Sequence, residues 1–242
     1  MTSLSAHGIA IAGRLEPTDL AIEKGQMVAV VGPNGGGKTS LLRGLAQVEH
    51  AKGCVTVDGE QVDLAQPARR RQLLSFMPAS RDLNWPIAVR DVIALGQEQR
   101  DDDRIDQLLD SLELGQLADR PVNQLSTGER TRVLMARAWA ANPKLLLLDE
   151  PLSNLDPYWV LRFLTIFRSA AEAGQSLLVA VHDLALLPEF DRVLLVADGK
   201  VQMDETPADL LAGERFLDIF RLASGSDGRW IISPSAVPRS LP

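Results

Sequence analysis

Residues 32–40 read Gly-Pro-Asn-Gly-Gly-Gly-Lys-Thr-Ser, and no other stretch constrains the fold of this chain as tightly. The spacing fits G-x-x-x-x-G-K-[ST], a loop that wraps its backbone around phosphate. Met27–Val31 ahead of it is a continuous apolar run of strand length, and Thr39–Leu45 behind it reads as a helix. Glycines at 32, 35, 36 and 37 let the backbone double back so that successive N–H groups converge on anionic oxygens. A helix starting near Lys38 adds the positive end of its dipole. On this reading Asn34, Gly35, Gly36, Gly37 and Ser40 belong to the cradle, and Lys38 reaches the β- and γ-phosphates of a nucleotide. The Thr39 hydroxyl would hold Mg²⁺. A glycine-rich turn without a ligand is the alternative; Lys-Thr at a helix start, after a buried strand, weighs against it.

A chain of 242 residues is long enough for one sizeable α/β domain, or for a domain with a subdomain inserted. Its net charge of −7 argues against a surface built for nucleic acid. Cys54 is the only cysteine, which excludes an internal disulfide and points to a reducing compartment. Met1–Ala12 has no basic segment ahead of an apolar run, so it is not read as a signal peptide. No apolar run approaches the roughly 20 residues that span a bilayer. The expectation is a soluble protein able to dock on a membrane partner.

Residues 1–31 alternate weakly, with a turn at Glu23-Lys24-Gly25-Gln26. Gly53–Val57 and Gln61-Val62 flank an Asp58-Gly59 turn, a strong hairpin signal that predicts an antiparallel sheet beside the loop. Arg69-Arg70-Arg71 follows Pro67 in a short helical stretch and reads as a solvated face rather than a contact to nucleotide or partner. Leu73–Pro78 is a core strand stopped by proline, and the loop Ala79–Pro86 carries Trp85. A helix is predicted from Val89 to about Gln99, and Asp101-Asp102-Asp103 opens another, acids that suit its dipole without a metal. Residues 88–141 lack strand patterns and read as an inserted helical subdomain, with 1–87 and 142–233 as the core and 234–242 as a frayed tail. Beyond the insertion, strands at Leu145–Leu148, Ser176–Val181 and Arg192–Ala197 alternate with helix, notably Pro157–Ala173. That alternation implies an α/β fold with a mostly parallel sheet covered on both faces.

Leu145-Leu146-Leu147-Leu148-Asp149-Glu150 puts two acids at the carboxyl end of a buried strand, the edge where ligands sit in parallel sheets. Asp149 is placed to hold Mg²⁺ opposite Thr39, through water. Glu150, one step on, points elsewhere and is the natural candidate to polarise an attacking water.

Leu125-Ser126-Thr127-Gly128-Glu129, followed by Arg130, Arg132 and Ala136-Arg137-Ala138, resembles the signature sequence of ATP-binding cassette (ABC) ATPases. Members of that family run from phosphate loop to helical subdomain, signature, acid-ended strand and histidine loop, an order this chain shares. Ser153-Asn154-Leu155-Asp156 is similar to the family's D-loop, and His182-Asp183-Leu184 to its histidine switch. The resemblance covers nearly the whole chain and implies a P-loop NTPase core with an antiparallel β subdomain and an inserted helical subdomain. It implies ATP as the nucleotide, and two cassettes packed head to tail. The Ser126 hydroxyl and Gly128 N–H, with Thr127 and Glu129 beside them, would then cap the γ-phosphate held by the other copy. His182 would read the γ-phosphate within its own subunit, and Asp156 would tie the two subunits together. Thr127 stands where the family usually has glycine, and its β-branch restricts the backbone there.

Two departures from the family pattern stand out. Ala79 occupies the place of a glutamine that ordinarily contacts Mg²⁺ and the attacking water, so water is expected to fill the gap, with weaker Mg²⁺ binding and slower hydrolysis. No aromatic residue precedes Phe76, so Arg14 is the candidate to stack on adenine through its flat guanidinium.

The resemblance implies the ATP-binding and ATP-hydrolysing subunit of a membrane transporter, peripheral on the cytoplasmic face of the cell membrane. Its partners would be transmembrane permease subunits, a second ATPase subunit (a homodimer) and a periplasmic or extracellular substrate-binding protein. Leu83–Gly96 resembles the corresponding stretch of metal-chelate importers, those for iron–siderophore complexes, haem or cobalamin. One rival is a nucleotide-binding switch with little turnover, motivated by Ala79 and opposed by Glu150 and His182. The other is a soluble non-transport cassette working on DNA or ribosomes, opposed by the acidic charge and the single phosphate loop.

Overall fold

Apolar runs and the glycine turns between them set the order of elements in the computed structural model, which describes residues 2–224 and 230–233. The chain opens with β1 (Thr2–Ile11), β2 (Leu15–Glu23), β3 (Met27–Val31) and α1 (Lys38–Leu45). Next come β4 (Lys52–Val57), β5 (Glu60–Gln61), α2 (Pro67–Leu73) and β6 (Leu74–Met77). Helices follow without an intervening strand: α3 (Val89–Ala94), α4 (Asp102–Ser111) and α5 (Thr127–Trp139). Strands and helices then alternate through β7 (Leu145–Asp149), α6 (Pro157–Glu172), β8 (Ser176–Ala180) and β9 (Arg192–Ala197). The described chain closes with β10 (Lys200–Glu205), α7 (Pro207–Ala212), α8 (Glu214–Phe220) and the short pair β11 (Leu222–Ser224) and β12 (Trp230–Ile232).

The main sheet has six strands in the order β10-β9-β3-β8-β7-β6, parallel throughout except for β10 at its edge. A separate antiparallel sheet runs β2-β1-β4-β5. Strands β3, β7 and β8 are buried at every residue, which is why they read as unbroken apolar runs. Their side chains divide by parity. Ala29, Val31, Leu146, Leu148, Leu177 and Val179 join a cluster with α3–α6, while Val28, Val30, Leu145, Leu147 and Leu178 pack with α1 and the antiparallel sheet. Each fully buried leucine stabilises the fold by about 1.5–3 kcal/mol, so the layered core holds the strand ends rigidly.

Two expectations shift. Helix α3 stops at Ala94 rather than near Gln99, because the chain must turn at Gly96 to lie against α5. A Cβ at Gly96 would stand 2.2 Å from the Arg137 carbonyl oxygen, so only glycine permits that approach. The second hairpin strand is Glu60–Gln61, one residue earlier than read from the sequence. Asp101 does cap α4, accepting from the Arg104 N–H at 3.0 Å. The arginine run behaves as a surface feature: Arg69 pairs with Glu60, Arg71 with Glu98, and Arg70 donates to the Ala46 carbonyl at 2.7 Å. The segment expected to fray, 234–242, lies outside the described residues. Among the described residues no helix is long and apolar enough to cross a membrane.

Because β3, β6, β7, β8 and β9 are parallel, the loops that follow them gather at one edge of the sheet.

Candidate active site

Between β3 and α1 the backbone turns through left-handed conformations. Gly35 has φ +77° and Gly37, the residue capping α1, has φ +112°; no side chain caps that helix. Gly32 passes so close to β9 that a Cβ would fall 1.9 Å from the Val196 carbonyl oxygen. The Gly199 N–H, from the β9–β10 turn, donates to the Gly36 carbonyl at 2.9 Å and pins the loop from above the sheet edge. Lys38 is buried, and its Nζ donates to the carbonyls of Gly32 at 2.8 Å and Pro33 at 3.3 Å. Burial lowers the lysine pKa, with the nearby Glu150 and Asp149 carboxylates pulling it back up. A cleft of about 600 Å³ opens over this loop, lined by Asn34, Gly35, Gly36, Gly37, Lys38, Thr39 and Ser40, with Arg14, Glu150 and Asp198 also on its wall. Its size, uncapped helix start and buried cation fit a nucleoside triphosphate.

At the end of β7, Asp149 is fully buried and neither carboxylate oxygen has a hydrogen-bond partner among the described residues. Its pKa is held above the ordinary carboxylate range by burial, and Glu150 adds to the shift. The Thr39 hydroxyl lies close enough to oppose that shift, without completing a hydrogen bond of good geometry. A buried unpaired carboxylate facing a hydroxyl is costly unless a cation completes the site.

Glu150, the residue after β7, has φ +52° and so leaves the extended backbone of the strand for the left-handed region. Its Oε1 lies 2.6 Å from His182 Nε2. The parallel pairing of β7 and β8 sets Asp149 opposite Ala180, so the residues just past each strand end are brought together.

The remaining expected residues fall into separate groups. Ser126 caps α5 in a full capping box: the Glu129 N–H donates to Ser126 Oγ at 3.3 Å, and the Ser126 N–H donates to Glu129 Oε2 at 2.8 Å. The Ser126 N–H, foremost, and the Ser126 hydroxyl at 2.8 Å both donate to Glu129 Oε2 and hold the Glu129 carboxyl below its usual range, partly offset by burial. Asp156 caps α6, accepting from the Trp159 N–H at 3.0 Å. Arg132, one turn past Gly128, stacks its guanidinium 4.4 Å from the Trp159 ring centre and so joins the two helices. Ser126, Thr127, Gly128, Glu129 and Asp156 do not line the cleft, while Arg14 does. The Arg14 guanidinium pairs with Glu49 at 3.2 Å.

Sequence reasoning missed Arg81. Its Nη2 donates to the Glu150 carbonyl at 2.8 Å and approaches the Asp149 carbonyl at 3.4 Å. No motif marks it: only the parallel pairing of β6 with β7, Met77 with Leu148, sets a basic residue shortly past β6 beside the two acids.

The glycine loop before α1, the buried unpaired Asp149, the Glu150–His182 contact and the capped start of α5 fit an ATP-hydrolysing cassette. The family model described as ABC transporter matches residues 15–153, and the chain belongs to that family as an ATP-driven transporter subunit. It is 37% identical over 211 residues to the hemin import ATP-binding protein HmuV of Streptomyces coelicolor, covering 82% of this chain and 74% of that protein. It is 33% identical over 226 residues to the cobalamin import ATP-binding protein BtuD of Halobacterium salinarum, covering 88% of this chain but 57% of that protein's length. In fold it matches the dimeric post-hydrolysis state of an ATP-binding cassette bound to ADP and phosphate, with a TM-score of 0.74 and 23% identity over 84% of this chain and 98% of that one.

Proposed function

We propose that this chain powers import of a metal chelate, an iron–siderophore complex, haem or cobalamin, by closing on ATP as a head-to-tail homodimer. The single observation that carries the hydrolytic half is the Asp149 carboxylate, buried and unpartnered across from the Thr39 hydroxyl. The pair fits Mg²⁺, which the Thr39 hydroxyl and the Asp149 carboxylate would hold between them. Bound there, the ion would screen the charge on the β- and γ-phosphates. Lys38 exchanges its contacts to the Gly32 and Pro33 carbonyls for phosphate oxygens, and Asn34–Ser40 supply N–H donors at the start of α1. Glu150 takes the proton of the attacking water, and His182, in hydrogen-bond contact with it, reports the γ-phosphate. Arg14 stacks on adenine after leaving Glu49.

Ser126, Thr127, Gly128 and Glu129 serve the site of the partner copy, and Asp156 lies at the seam between copies. On this reading 88–141 is an arm that carries the signature, and 1–87 with 142–233 is the nucleotide-binding core. The arm and core dock from the cytoplasmic side on permease subunits, which receive cargo from a periplasmic or extracellular binding protein. The names of the relatives support the cargo class.

Co-purification with its permease subunits and reconstitution into vesicles tests the cargo. ATP-dependent uptake of haem, cobalamin or a ferric siderophore is the expected result. Hydrolysis by the assembled complex with no uptake of any of the three would overturn it.

A further inference from the structure

The loop that follows β6 carries no glutamine at position 79, yet it is not chemically silent. Ala79 is exposed and offers no side-chain hydrogen bond. The parallel register that pairs Met77 with Leu148 runs the next residues past the Asp149-Glu150 peptide. Arg81 fills that approach. One arm of its guanidinium donates to the Pro78 carbonyl of its own loop, and the other donates to the Glu150 carbonyl at 2.8 Å. The same nitrogen lies 3.4 Å from the Asp149 carbonyl.

We infer that Arg81 is a positioning residue for Glu150: its guanidinium clamps the peptide that sets the direction of the Glu150 carboxylate, in a chain that lacks the glutamine at position 79. The inference rests on the reading of Glu150 as the group that activates water.

Three observations converge on it. Glu150 sits at φ +52°, a conformation that a non-glycine residue keeps only when its surroundings over-determine it. The Glu150 carbonyl is held from two directions: it accepts from Arg81, from the Ser153 N–H at 3.2 Å and from the Ser153 hydroxyl at 2.8 Å. Third, the guanidinium stands beside the two carboxylates of Asp149 and Glu150, whose negative charge it complements. Planarity matters here, since a fork reaches carbonyls on both sides of the gap and a single ammonium cannot.

Steady-state Mg·ATP hydrolysis by the full chain tests the inference. Arg81→Ala is expected to lower kcat about tenfold, the scale of losing a group that orients a reacting residue, with KM kept within about twofold. Arg81→Lys keeps the charge and one donor, and is expected to recover part of that loss. Arg69→Ala, at the exposed pair with Glu60, serves as the control and is expected to match wild type. An Arg81→Ala protein with wild-type kcat overturns the inference, and so does one whose only defect is a lower melting temperature or a raised KM. If Arg81→Ala does not fold, Arg81→Lys and Arg81→Gln carry the comparison: reduced kcat at unchanged KM supports the clamp, and wild-type kcat in both overturns it. Absence of hydrolysis by the wild type itself would instead remove the reading of Glu150 on which the inference rests.

Discussion

His182 Nε2 and Glu150 Oε1 meet at 2.6 Å across the ends of two adjacent parallel strands. The pairing of Asp149 with Ala180 ends the two strands at one level, and Glu150, one residue past β7, then meets His182, two residues past β8. The contact orients the carboxylate before any water attacks. His182→Ala is therefore expected to lower kcat by about a hundredfold, the lower end of what a well-placed proton acceptor contributes. Nucleotide titration should show ATP affinity within a few-fold of wild type. Equal kcat in the two proteins would show that the contact is incidental.

Asp149 makes the nucleotide-free protein less stable than it could be. Burial raises its pKa, so the folded chain binds a proton there more tightly than the unfolded chain does. The stability linked to that proton is fully present below the ordinary carboxylate pKa and is lost as pH rises through the raised value. Asp149→Asn should accordingly melt higher than wild type at neutral pH without nucleotide, and the gap should close as pH falls toward the ordinary carboxylate value. The same variant should lose Mg²⁺-dependent hydrolysis. A lower melting temperature at neutral pH would contradict the assignment.

Gly32 and Gly35 separate two kinds of glycine requirement. A Cβ at Gly32 would sit 1.9 Å from the Val196 carbonyl oxygen, against backbone that cannot yield. At Gly35 the space is open, and only the φ of +77° resists a side chain. Urea denaturation should give a loss of about 3 kcal/mol for Gly32→Ala, as for overpacking, and about 1 kcal/mol for Gly35→Ala, the cost of one left-handed residue. Equal losses would mean the loop does not cross β9 as described.

Arg14 lines the cleft and pairs with Glu49 at 3.2 Å. If it stacks on the base, Arg14→Ala should weaken ATP binding about fivefold, which corresponds to roughly 1 kcal/mol of cation–π attraction. Binding of inorganic tripolyphosphate should not change. Intact ATP affinity would remove Arg14 from the site.

What the sequence made legible was whatever local pattern enforces. The phosphate loop, the leucine strand ending in Asp149-Glu150 and the strand-free stretch around α3–α5 all appear because composition and period leave few alternatives. The end of α3 was illegible, since it depends on how closely Gly96 approaches the Arg137 carbonyl, a contact distant in the chain. Arg81 was hidden for the same reason: in the sequence it is one charge in the polar loop before Trp85, and only the β6–β7 register brings it to the Glu150 carbonyl. The gap left by Ala79, expected to be filled by water, has a guanidinium of the same loop beside it. The pairing of Arg14 with Glu49 likewise joins residues from either side of α1 that no motif connects.

The central claim is that this chain turns over ATP with Glu150 as the residue that activates water. Phosphate release from Mg·ATP, measured for the full chain and for Glu150→Gln together with size-exclusion chromatography in ATP, tests it most directly. The variant is expected to bind ATP with wild-type affinity, to elute as a dimer and to turn over at least about a hundredfold more slowly than wild type. Wild-type turnover by Glu150→Gln would contradict the account.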